Sequence, residues 1–244
     1  MSSEAGSTSR LIEVQQLDTL IDQLRHRRDT LPEKAELSRV EAALDLIASR
    51  VAEASRQRDL LGTKQAVLDD QVESARARKD ELERRLYGGQ VNAARELQAI
   101  DEEVKHLAGR VKEMEDLELD LMEQIEPFDA ELAGLESEIA VLEEEASALI
   151  RRIQAAEMVA NTAIADKIAE RTVLATDIPD DLLKRYEELR SKLGGTGAAL
   201  VVGGSCGGCH LVLPSMEIDR IRKAAPGEVI TCEQCGRILL RPEA

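Results

Sequence analysis

Apolar residues recur at alternating spacings of three and four along most of this chain. The series opens with Val14, Leu17, Ile21 and Leu24 and resumes at Leu31. A stripe of this spacing is buried on one side of a helix, and sustained over many heptads it marks a coiled coil. "DTLPEK" interrupts it. Pro32 cannot donate a backbone hydrogen bond and disfavours helix in the residue before it, yet it suits a first helical turn. The pattern therefore predicts a break at about 30–32 and a new helix from Pro32 or Glu33. That helix keeps the repeat from Leu37 to Leu86, with Arg58, Gln65 and Lys79 the polar exceptions among fifteen positions. A further segment runs from Leu97 to Ala160 with only Glu118 polar in nineteen positions.

Gly88-Gly89 separates these segments. Each glycine in a helix costs about 1 kcal/mol against alanine, so the pair predicts a reversal near 87–92. The arms on either side, about 10–86 and 92–174, would each be roughly 115–125 Å long as helices. Matched arms favour an antiparallel hairpin in which residue i faces about residue 179 − i. Pro127 predicts a kink in the second arm.

Beyond the second arm, "ATDIPDDLLKRYEELRSKLGG" predicts a short helix, with Asp177 as N-cap, Pro179 in its first turn and Gly194 just past its end. Its apolar stripe, Leu182, Leu183, Tyr186, Leu189 and Leu193, would pack on the hairpin base or on the final segment. "GGTG" (194–197) reads as a flexible joint. Cys206, Cys209, Cys232 and Cys235 then form two CxxC pairs separated by twenty-two residues. Zinc takes four thiolates tetrahedrally at about 2.3 Å, and each CxxC supplies two from one tight turn. With short strand-like stretches around them, the cysteines predict a zinc ribbon holding one structural zinc ion. Four thiolates leave no open position for a catalytic water, and a redox CxxC needs a βαβ context that is missing. His210 reads as a surface residue. The expected fold is mainly α: a long antiparallel coiled-coil hairpin followed by a small C-terminal four-cysteine ribbon. The expected segments are a disordered tail at 1–9, the hairpin at 10–175, a connecting helix and joint at 176–196, and the ribbon at 197–244.

Composition agrees with long helices rather than a broad core. A third of the 244 residues are charged and only 1% are aromatic. The N-terminus lacks a basic stretch followed by an apolar one, and no apolar run reaches membrane-spanning length. A cytoplasmic protein with no membrane association is expected.

The whole chain resembles a bacterial family of zinc-ribbon proteins with a long coiled-coil hairpin, whose zinc module carries a RING-type label. "LYGGQVNAARELQ", "IPDDLLKRYEELR", "CGGCHLVLP" and "CEQCGRILL" carry the resemblance. At the tip, Gly88 stands where the family has Ser and Ala93 where it has Pro. The resemblance implies a noncatalytic adaptor. One branch of the family includes a flagellar protein that associates with sigma-54 and is linked to messenger RNA; another includes partners of secretion machinery.

Charge divides the candidate surfaces. The net charge of −16 opposes nonspecific nucleic-acid binding. Residues 113–150 contain fourteen Asp and Glu and no Lys or Arg, while the facing stretch, 29–66, has seven acids and six bases. This acidic stretch, with Glu143, Glu144 and Glu145 at its end, is a candidate dock for a basic protein partner. Nucleic acid is the alternative partner. Residues 75–95 carry Arg76, Arg78, Lys79, Arg84, Arg85 and Arg95 against three acids. In the ribbon, Arg220, Arg222 and Lys223 form a second basic group that Arg237 would join. Leu46, Leu60 and Val67 lie off the seam and leave a homodimer open. No His, Ser or Cys constellation and no phosphate-cradling loop points to an enzyme.

Overall fold

The computed structural model describes residues 3–89, 91–225 and 228–240. Four helices come first: α1 (Ser3–Asp29), α2 (Pro32–Tyr87), α3 (Ala94–Ala175) and α4 (Asp180–Lys192). There follow β1 (Ala198–Val202), β2 (Ser205–Cys206), α5 (Ser215–Lys223), β3 (Ile230–Thr231) and β4 (Ile238–Leu240). The chain divides into two compact units, Glu36–Leu149 and Met1–Ala35 with Ile150–Ala244. No helix among the described residues is long and apolar enough to cross a membrane.

The first unit is the hairpin proper. Its seam is the one the heptads predict: Val40, Ile47, Ala54, Val72 and Leu82 of α2 are buried, as are Ile100, Val111, Met114, Ile125, Leu135 and Leu149 of α3. Ion pairs fix the antiparallel register. Arg85 meets Glu96 at 3.7 Å, Arg78 meets Glu103 at 3.8 Å and Arg58 meets Asp129 at 3.2 Å. These partners lie two to eight residues further along than the symmetric expectation, and Val72 packs with Val111 and Met114, four and seven further along, so the register itself is displaced from the expected one. At the turn, Gly89 has φ +69°, a left-handed conformation that only glycine adopts freely. A Cβ on Gly88 would sit 2.5 Å from the Arg84 carbonyl oxygen. The expected reversal spans 87–92; Gln90 lies outside the described residues. α3 continues through Pro127 as one helix.

The second unit joins α1, the end of α3, α4 and the ribbon. Helix α1 begins at Ser3, so the backbone at 3–9 is helical and not the disordered tail expected from its serines. Extending an existing helix fixes one residue per added hydrogen bond, a far smaller cost than nucleation. Met1 and Ser2 lie outside the described residues. The break before Pro32 is real: Thr30 closes α1 through its N–H to the His26 carbonyl, and Lys34 N–H bonds to the Leu31 carbonyl as α2 opens. Asp177 does not cap α4. Pro179 occupies that position without a side-chain bond, and Asp177 lies 3.6 Å from Arg10. Gly194 closes the helix as expected, with φ +71° and Gly195 N–H reaching back to the Arg190 carbonyl.

The ribbon sheet has the order β2-β1-β4-β3, with β1 and β4 parallel and the other pairs antiparallel. Strand alternation gives it two apolar faces. Ala198, Ile238 and Leu240 pack with Leu11 and Val14 of α1, with Ile178 just before α4, and with Leu182 and Tyr186 of α4. Ala199 and Leu239 face the other way, with Leu213, Ile221, Ile230 and two of the cysteines. The connecting helix thus packs on both of its predicted partners.

Candidate metal centre and charged surfaces

Each CxxC sits in a turn of the same construction. In the first, Cys206 N–H bonds to the Leu211 carbonyl, and His210 N–H returns to the Cys206 carbonyl. In the second, Cys232 N–H bonds to the Arg237 carbonyl, and Gly236 N–H returns to the Cys232 carbonyl. His210 and Gly236 both adopt positive φ, +64° and +76°. His210 is thus an exposed turn residue, filling the place that glycine takes in the other knuckle. Gly207 and Gly208 are required by close approach: a Cβ on the first would lie 2.8 Å from the Leu200 carbonyl oxygen, and on the second 2.4 Å from Arg237 Cδ.

The four sulfurs lie within 4.8 Å of one another, and Cys206 Sγ is 3.9 Å from Cys235 Sγ. Tetrahedral zinc with bonds of about 2.3 Å needs sulfurs roughly 3.8 Å apart, so the residues fit the ion. Burial pushes the Cys206 and Cys232 thiols up, Cys232 to about 12. Burial acts the same way on Cys235, but donation from the Arg237 backbone and side chain outweighs it and brings that thiol down to about 7. Bound metal must displace the protons of the raised thiols. The centre holds one structural zinc, closed on all four sides by thiolate.

Arg237 departs from the expectation. It does not join a basic surface: its Nε donates to the Thr196 carbonyl and its Nη2 to the Leu193 carbonyl, each at 2.9 Å. It ties the second knuckle to the end of α4 across Gly208. Arg220 pairs with Glu233 at 3.3 Å, while Arg222 and Lys223 are exposed. Near the hairpin turn, Arg76 pairs with Glu115, Lys79 with Glu83 at 3.4 Å, and Arg78 and Arg85 with α3 as described. Arg84 and Arg95 are exposed and form no ion pair among the described residues; Arg84 Nε donates to the Asp80 carbonyl at 3.3 Å. Glu143, Glu144 and Glu145 are exposed, and as consecutive helical residues they fan around α3 rather than forming one patch. Leu46, Leu60 and Val67 are exposed.

The "GGTG" segment, expected as a flexible joint, is held by hydrogen bonds from α1. Gln15 of α1, buried, accepts from Gly197 N–H at 2.8 Å and Ala198 N–H at 3.2 Å and donates to the Gly195 carbonyl at 3.1 Å. One turn further along α1, Asp18 is 4% exposed. It accepts from the Tyr186 hydroxyl at 2.7 Å and from Arg171 at 2.9 and 3.3 Å, with Arg190 at 3.6 Å. Arg171 also pairs with Glu187, and Arg190 with Asp22 at 2.5 Å. Burial and the Asp18 carboxylate together raise the Tyr186 hydroxyl far above its ordinary range. For Arg171, burial opposes the charge, but Asp18 and Glu187 outweigh it and raise the pKa. Sequence reading missed this network. Its signal is a polar stripe, Gln15, Asp18 and Asp22, at helical spacing beside Leu11 and Val14, opposite Tyr186 and Arg190 one turn apart on α4.

A family model of the CT398-like coiled coil hairpin domain matches residues 14–194, and one of the C4-type zinc ribbon domain matches residues 205–239. Rv2229c, an uncharacterized protein of Mycobacterium tuberculosis, is 26% identical over 243 residues, covering 100% of this chain and 98% of its own. A solved Mycobacterium smegmatis structure is similar over 99% of this chain and 100% of its own, with 27% identity and a TM-score of 0.89. CT398 of Chlamydia trachomatis shares the fold over 99% of this chain and 100% of its own, with 20% identity and a TM-score of 0.73.

Proposed function

This chain belongs to the CT398-like coiled-coil hairpin family and carries a C4-type zinc ribbon, and on that premise we propose that it is a noncatalytic cytoplasmic adaptor that captures a protein partner on its hairpin. The observation that carries this reading is the net negative charge of one stretch of α3. Residues 113–150 hold fourteen carboxylates and no Lys or Arg. From α2, Arg50, Arg58 and Arg76 reach Glu131, Glu138, Asp129 and Glu115. These pairs leave the stretch net negative, a field that favours a basic partner and speeds its encounter. The closed thiolate centre supports a structural use of the metal. The family resemblance, one branch of which includes a sigma-54-associated protein, adds gene expression as the setting. Reversing Glu143, Glu144 and Glu145 to Lys is expected to weaken partner capture and its dependence on salt; undiminished capture would remove this end of α3 from the interface.

The second reading, nucleic-acid binding at the hairpin tip, has one observation in its favour. Tyr87, 82% exposed, stands at the turn one helical turn after Arg84, a cation without an ion pair among the described residues. An RNA affinity that falls with salt and is lost in Arg84→Ala/Arg95→Ala would support it.

A further inference from the structure

Between α2 and α3, on one side of the seam, lies an open groove of about 1080 Å³. From α2 it is floored by Gly62 and Ala66, one turn apart, with Thr63 and Gln65 beside them. Its α3 wall presents Leu119 and Met122, 58% and 49% exposed, which the hairpin's own seam does not use. Gly62 is the informative residue. It sits in the middle of a 56-residue helix, where glycine is among the least favourable residues. The fold does not demand it: an added Cβ would meet only the Arg58 guanidinium, at 4.0 Å, and its backbone is ordinary helix. Gly109 and Gly134 are equally open; Gly62 differs in forming the floor of this groove.

The rim is acidic. Asp59, Glu123, Glu126 and Asp129 border the groove, and its single cation, Arg58, is held by Asp129 at 3.2 Å and by Asp59 at 3.8 Å. A small floor lets another backbone approach, an apolar wall takes apolar side chains, and a carboxylate rim takes cations. We infer that this groove receives a cationic amphipathic helix from the protein partner, an inference that rests on the adaptor reading and gives it a place and a ligand class. A second copy of this chain is the poorer occupant, since a two-fold contact here would set the same carboxylates against themselves.

The test uses the full zinc-loaded chain and two labelled Leu/Lys peptides of about 18 residues, one with apolar positions at helical spacing and one of identical composition with that spacing broken. Fluorescence anisotropy is expected to show saturable binding of the first and at least about tenfold weaker binding of the second. Gly62→Leu fills the floor with a better helix former, so a loss of binding cannot come from weakened α2. That variant and Leu119→Gln/Met122→Gln are each expected to weaken binding at least about tenfold, with helical ellipticity and Tm not lowered. Equal binding of the two peptides, or full binding by Gly62→Leu, would overturn the groove. So would a wild-type dimer in sedimentation that Gly62→Leu dissolves, which would assign the groove to a second copy. Equal capture of a cellular protein by wild type and Gly62→Leu would overturn the groove alone. Peptide binding by a chain that captures no protein would overturn the adaptor reading and, with it, this occupant.

Discussion

The second unit should be loosened by a single change at Asp18. Replacing it with Ala removes the acceptor for the Tyr186 hydroxyl and for two bonds from Arg171. The hydroxyl is then buried without a partner, which costs about 1–3 kcal/mol. The arginines fare better, because Arg171 retains Glu187 and Arg190 retains Asp22. The loss should therefore fall near 3 kcal/mol, at the lower edge of the roughly 3–5 kcal/mol seen when a buried ion pair loses a member. The chain has no Trp and two Tyr, so a Tyr87→Phe background leaves Tyr186 as a local fluorescence reporter. With a urea slope of about 1–3 kcal/mol/M, the Tyr186 transition should move down by roughly 1–3 M. A double-mutant cycle with Tyr186→Phe, read by amide hydrogen exchange in α4, should give a coupling of at least about 1 kcal/mol. A midpoint shift corresponding to under about 0.5 kcal/mol, typical of surface changes, would refute the network's role in holding the unit together.

Two further outcomes follow from the same unit. Tyr186 has a folded-state pKa above its unfolded value near 10, so its contribution is complete below pH 10 and is lost as pH rises beyond it. The slope is about 1.4 kcal/mol per pH unit, and alkaline urea titrations should show it in the parent and not in Tyr186→Phe. Zinc analysis should find one ion per chain and none in Cys206→Ser/Cys232→Ser; chelation should abolish ribbon amide protection while leaving most of the helical ellipticity, and loss of the entire helical signal would contradict a purely local role for the metal.

How much of this was legible depends on the kind of order each part uses. The hairpin seam is written in spacing: Val40, Ile47 and Ala54 recur every seven residues, and burial follows them. The Gly88-Gly89 turn and the four cysteines were readable because backbone geometry and metal chemistry admit few residue types. The base was not readable in the same way. Gln15 and Asp18 have ordinary surface identities on a helix, and only tertiary contact with residues some 150 to 180 positions away makes them buried partners. Arg237 was misread for a related reason. Its charge suggested a phosphate contact, whereas its fork is aimed at two carbonyls that the sequence does not place beside it. Asp177 had the chemistry of an N-cap, but Pro179 fixed the entry to α4 two residues later.

The most direct measurement is affinity capture on the full zinc-loaded chain from native lysate, with and without nuclease. The adaptor account predicts one protein partner recovered in proportion to the bait, resistant to nuclease and weakened in Glu143→Lys/Glu144→Lys/Glu145→Lys. Recovery of nucleic acid alone, with every protein lost on nuclease treatment, would contradict it and assign the work to the Arg84 and Tyr87 end of the hairpin.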